Sequence, residues 1–103
     1  MSQTSNEQLT QLKTQAISAG VGITTTNFIQ SAQGAVLRDI EGREFIDFAG
    51  GIAVMNVGHS HPKVVAAIKE QAEKFTHTCF MVNPYESAVK LAQRLCQIGR
   101  AHV

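Results

Sequence analysis

Between residues 27 and 49 the hydrophobic pattern breaks into short runs punctuated by glycine, and this constrains the fold more than any other feature of the chain. The runs at 27–31, 35–40 and 44–48 are rich in β-branched and aromatic residues, which pack well on a pleated surface. Gly34 separates the first two runs. Glu41-Gly42 lies between AVLRDI and REFIDF, and glycine tolerates the positive φ that a tight hairpin turn needs. The expectation is a three-stranded antiparallel meander.

The flanks read as helices. Residues 5–19 offer Ser5 as a cap with Gln8 three residues on, the spacing of a capping box, and Leu9, Leu12 and Ala16 share a face. Gly20 and Gly22 are expected to stop this helix. Pro62 suits the first position of a second helix, with Val65, Ile68, Ala72 and Phe75 on one face over 62–75. Asn83-Pro84 with Glu86 repeats that opening, as cap, first-position proline and first-turn carboxylate. Ala88, Leu91, Ala92 and Leu95 would form the buried face of the last helix. Residues 50–61, GGIAVMNVGHSH, have no clean period, and a glycine-bracketed apolar loop is either a tight core crossing or a pocket lining. The order helix, meander, loop, helix, helix is that of an α+β segment.

Composition excludes several classes of function. With 44% apolar and 17% charged residues the 103-residue chain is ordinary globular material. A net charge of +1 gives no attraction to nucleic acid or anionic membrane. No apolar run approaches the ~20 residues of a spanning helix. MSQTSNEQLTQLK has no basic start or apolar stretch of a signal peptide. Cys79 and Cys96 are too few for a disulfide framework. A soluble, cytoplasmic protein is expected.

The end of the chain has its own reading. IGRAHV is also the in-frame translation of ATC GGA AGA GCA CAC GTC, the opening of a widely used sequencing adapter, and Gln97 is codable as the CAG that would precede it. The hypothesis is that residues 1–97 are the native segment and 98–103 a non-native tail. Resequencing the source DNA past the codon for Cys96 tests it, and a stop codon directly after Val103 would refute it.

Candidate chemistry is sparse. His59-x-His61 and His77-x-Cys79 are ligand-type pairs, but a helix of about 14 residues, ~20 Å long, lies between them, too far for one metal. His61 is expected to cap the helix start, and His59 and His77 to make structural hydrogen bonds or line a cleft. Neither Gly20-Val21-Gly22 nor Gly50-Gly51 extends into a phosphate-binding motif. On a strand, Cys79 and His77 would share a face, yet a cysteine acting as a small apolar residue is the commoner case. Asp39, Glu41, Glu44 and Asp47 around the hairpin read as a solvated face. The residues alone therefore give no catalytic constellation, and a stand-alone α+β binding module with a ligand loop at 50–61 remains an alternative.

The stretch DIEGREFIDFAGGIAVMNVGHSHP, Asp39 to Pro62, resembles the N-terminal signature of class III aminotransferases of fold type I. The strings at 47–54 (DFAGGIAV) and 77–80 (HTCF) are similar to those of the 4-aminobutyrate branch. The resemblance spans roughly residues 8–96. It implies the N-terminal part of an α/β pyridoxal-phosphate-dependent transferase, contributing to its small domain and subunit interface. It also implies amino-group transfer from an ω-amino acid to 2-oxoglutarate through a Schiff base between pyridoxal phosphate and a lysine, in a homodimer. Gly51 and Ile52 match the loop lining the substrate pocket, where an aliphatic side chain leaves room for an unbranched ω-amino acid. Met81 matches a position near the neighbouring subunit's site, where bacterial members more often carry Gln. The family's phosphate loop, pyridine-pairing Asp, Schiff-base Lys and carboxylate-binding Arg lie downstream of this segment. Lys13, Lys63, Lys69, Lys74 and Lys90 do not match the Schiff-base position, so the chain is expected neither to bind the cofactor nor to catalyse.

Overall fold

The computed structural model describes residues 4–99. The tail read at 98–103 lies outside the described residues from position 100 onward. The chain divides into two units, Met1–Ala66 and Ala67–Val103.

The first unit opens with α1, Asn6–Ala16. Both halves of the capping box are made: the Gln8 backbone N–H donates to Ser5 Oγ at 3.1 Å, and the Ser5 N–H to Gln8 Oε1 at 2.9 Å. The helix ends at Ala16, short of the glycines expected to stop it. Ile17, the cap residue, is extended at φ −112° and ψ 136°, and its N–H makes the closing bond to Lys13 at 2.9 Å. A β-branched residue loses little by leaving the helix. The predicted apolar face of α1 faces solvent at Leu12, while the buried residue is polar, Asn6.

The meander is present as β1 (Ile29–Gln33), β2 (Val36–Asp39) and β3 (Glu44–Ile46), antiparallel in that order. β1 begins two residues later than the sequence pattern suggests and bulges between Ile29 and Ser31. Ala32, Leu37 and Phe45 align across the sheet on its half-buried face. On the other face the register pair Arg38 and Glu44 forms an ion pair at 2.5 Å. Gly42, at φ 83°, completes the β2–β3 turn as expected.

After β3 comes α2, Gly50–Ala53, a single turn of left-handed backbone. The following α3, Pro62–Lys74, starts at the predicted proline, and the unit boundary falls within it. His61 caps it as expected, Nδ1 accepting the Lys63 N–H at 3.2 Å.

In the second unit α4 runs Glu86–Ile98. The expected Asn83 cap is not used. The N-cap is Tyr85, without a side-chain cap bond, and Pro84 precedes the helix instead of opening it. Asn83 belongs to the preceding turn, its N–H bonded to the Cys79 carbonyl and its own carbonyl accepting from Thr78 Oγ1. The Tyr85 ring stands edge-on to Phe75 and Phe80, with centroids 5.6 and 5.4 Å away. The expected buried face of α4 is open: Leu91 and Leu95 are more than half exposed. Among the described residues no hydrophobic side chain is fully buried. No helix among them is long and apolar enough to cross a membrane.

Candidate functional site

The carboxylates around the hairpin divide into two kinds. Glu41 and Glu44 are solvated, as expected, but Asp39 has no exposed surface and the Asp47 side chain is only 8% exposed. The Asp39 carboxylate accepts the N–H groups of Glu41 and Arg43, the Arg43 Nε–H and the Asn6 Nδ2–H, all at 2.8–3.0 Å. Burial pushes its carboxyl up, but the donors of Arg43, Asn6 and Glu41 outweigh that, and the net shift is downward. Asn6 extends the network: its Nδ2 also donates to Glu41, and its Oδ1 accepts the Phe28 N–H at 2.7 Å. The start of α1, the β2–β3 turn and the approach to β1 are thereby tied at one point.

Asp47 organises the glycine loop. Its Oδ1 accepts the N–H groups of Ala49 at 3.1 Å and Gly50 at 2.9 Å, and its Oδ2 meets His59 Nε2 at 2.5 Å. The His59 ring beside it, with the Gly50 amide, holds the Asp47 carboxyl below its ordinary value. His59 thus takes the structural hydrogen bond expected of it, and it also lines a cleft. Its backbone forms a two-bond bridge with Gly34, at 2.8 and 3.0 Å.

Inside the loop, Gly50, Gly51, Ile52 and Ala53 all have positive φ, 55° to 63°. For L residues this backbone costs about 1–2 kcal/mol each, and for a β-branched residue it is a genuine outlier. Such strain persists only where the surroundings over-determine it, and it concentrates at functional sites. Here it turns Ile52 outward, 89% exposed. Gly51, Asp47, His59, Leu37 and Ser31 border an open groove of about 410 Å³ on the sheet.

Of the site residues read from the sequence, the structure gathers Gly51 and Ile52 on one strained turn. Met81, also 89% exposed, lies in the second unit on the turn that follows Cys79. Cys79 is in a turn at φ 54°, not on a strand, so the alternation that would align it with His77 does not apply. Among the described residues no three His, Cys, Asp or Glu side chains gather to hold a metal ion. Lys13 is partly buried on α1, Lys63 and Lys69 are exposed, and Lys74 and Lys90 pair with Glu70 and Glu86 on their own helices. Sequence reasoning missed the Asp47–His59 pair. Its legible trace was an Asp three residues ahead of a glycine, the spacing of a side chain that caps a turn.

The class-III aminotransferase family model matches residues 17–101. The chain is 52% identical over 90 residues to the 5-aminovalerate aminotransferase of Pseudomonas putida, covering 87% of this chain and 21% of that protein. It is 50% identical over 93 residues to the 4-aminobutyrate aminotransferase of Escherichia coli, covering 90% of this chain and 22% of the relative. The chain therefore spans about a fifth of the length of these relatives. The fold matches that of the acetylornithine aminotransferase from Elizabethkingia anophelis with a TM-score of 0.84, over 92% of this chain and 24% of that one, at 24% identity. The helix–meander–loop–helix–helix arrangement is thus a segment of the fold of those transferases, and the chain belongs to the class-III aminotransferase family.

Proposed function

We propose that the protein to which this segment belongs transfers the amino group of an unbranched ω-amino acid, 4-aminobutyrate or 5-aminovalerate, to 2-oxoglutarate. Pyridoxal phosphate is the cofactor its family implies, supplying the electron sink for that chemistry. Among the described residues we propose no site for it. The described lysines lie on helices, two of them tied to neighbouring glutamates in solvent. The segment's own contribution is a wall of the substrate pocket, Gly51 and Ile52, and through Met81 an approach to the site of the other subunit of a homodimer. The place of work is the cytoplasm.

The structural observation that carries this reading is the left-handed turn presenting Ile52. A branched aliphatic side chain on strained backbone is costly to keep unless its position matters. An aliphatic wall suits a donor without an α-amino group, and the names of the relatives agree with that chemistry. The stand-alone binding module is the weaker reading because it needs a self-sufficient core, and the described residues bury no hydrophobic side chain.

The test is steady-state kinetics on the whole protein loaded with cofactor. Transfer from 4-aminobutyrate and 5-aminovalerate to 2-oxoglutarate is expected, and Ile52→Tyr should lower kcat/KM for both by roughly tenfold or more. It should also shift preference toward donors bearing an α-amino group. A wild-type protein that transfers from neither ω-amino acid would overturn the proposal.

A further inference from the structure

The loop joining β3 to α3 is fastened at both ends to the same stretch of backbone. Asp47 donates its N–H to the Ala35 carbonyl at 2.8 Å, and His59 bridges Gly34. These anchors sit side by side at the tip of the β1–β2 hairpin. The approach leaves no slack: a Cβ on Gly58 would stand 3.1 Å from Gly34 Cα. Between the anchors lie four consecutive residues of positive φ, two of them, Ile52 and Ala53, not glycine. Backbone of that kind relaxes unless it is held.

The contact that closes the loop is made by side chains. One oxygen of Asp47 takes the Ala49 and Gly50 amides, where the left-handed turn begins, and the other takes His59 Nε2 from the far end of the loop. One carboxylate therefore couples the entry of the turn to the exit of the loop. Both side chains are largely shielded, at 8% and 20% exposure.

We infer that Asp47 and His59 form a positioning pair whose contact holds loop 48–58 in its left-handed turn and so fixes where Ile52 stands against the donor substrate. The inference rests on the reading of Ile52 as a pocket wall. The two residues act through Ile52 and are not placed on the substrate themselves.

The experiment uses the whole, cofactor-loaded protein, with kcat and KM measured separately for 4-aminobutyrate and 5-aminovalerate. His59→Ala should raise the donor KM roughly tenfold while kcat per loaded site stays within about twofold. His59→Gln, which still offers an N–H toward Asp47, should restore most of the loss. Adding Ala53→Gly to His59→Ala should restore part of it, because glycine adopts positive φ without strain. A pair that only stabilises the fold would lower yield or melting temperature and leave donor KM and preference untouched, and that result would overturn the inference. Failure of both rescues would do the same. Should His59→Ala not fold, Asp47→Asn keeps an acceptor for the two amides, weakens the contact to His59 and carries the same expectation. Failure of the aminotransferase reading is seen separately, as a wild-type protein inactive toward both donors. Hydrogen exchange at the Gly50 amide then decides, and an unchanged rate in His59→Ala refutes the clamp.

Discussion

Asp39 shows how much one side chain can organise. It is charged and fully buried, and it is matched by four donors from Asn6, Glu41 and Arg43. A carboxylate so placed is tolerated because its lone pairs are filled. Its pKa is lowered on folding from the ordinary 3.8. A depressed folded pKa means that its stabilisation is fully present above the unfolded value and is lost as pH falls through the folded one. In the whole protein, the Glu41 and Arg43 amides should therefore keep their protection from hydrogen exchange at pH 5 and lose it progressively below 3.8. Unchanged protection at pH 2 would contradict this account. Asn6 is the neutral half of the same knot. Asn6→Ala removes one of Asp39's donors and leaves the Phe28 N–H without its acceptor, a loss of about 1–3 kcal/mol. Exchange of the Phe28 amide should speed up by on the order of tenfold or more.

At the scale of elements, two tertiary contacts decide against or constrain local preference, the first at the start of α4. The N-cap of α4 is a tyrosine with no cap bond, although an aspartate there would supply one. A good cap contributes about 1 kcal/mol. The two edge-on contacts of Tyr85 contribute about 0.5–1.5 kcal/mol each beyond the area they shield. Packing outweighs capping, so Tyr85→Asp should lower the melting temperature of the whole protein, and an increase would reverse the ranking. The second case is the loop–hairpin contact. Gly58 combines a φ of 81° with the Gly34 backbone 3.1 Å from where a Cβ would stand. Gly58→Ala should cost about 1–3 kcal/mol in a thermal or urea melt, whereas Gly22→Ala, with open space around it and no positive φ, should be close to neutral.

At the scale of the whole molecule, the notable feature is apolar surface facing outward. Phe48, Ile52, Val54, Val57, Leu91 and Leu95 are all more than half exposed. Hydrophobic burial is the dominant favourable contribution to folding, and here it is small while the ordering cost is unchanged. The 103-residue chain by itself should melt without a cooperative transition, bind a hydrophobic dye and associate with rising concentration. A sharp, concentration-independent melt of a monomer would contradict this. Adding pyridoxal phosphate to the same chain should produce no saturable change in visible absorbance.

Local chemistry was legible in the sequence because its causes are local. The capping box of Ser5 and Gln8, the β2–β3 turn at Gly42, the Pro62 helix start and the His61 cap each depend on residues within four positions of one another. The meander followed from short runs rich in β-branched and aromatic residues cut by glycine, and the family from strings such as GGIAV and GHSHP. What tertiary structure alone decided involves partners far apart in the chain. Asp39 became a buried hub because Asn6 arrives from 33 residues away, and Asp47 a loop clamp because His59 returns from 12 residues on. The same holds for α4: its apolar stripe implied a buried face, but a stripe states only what a helix would bury, and burial requires a partner surface to cover it.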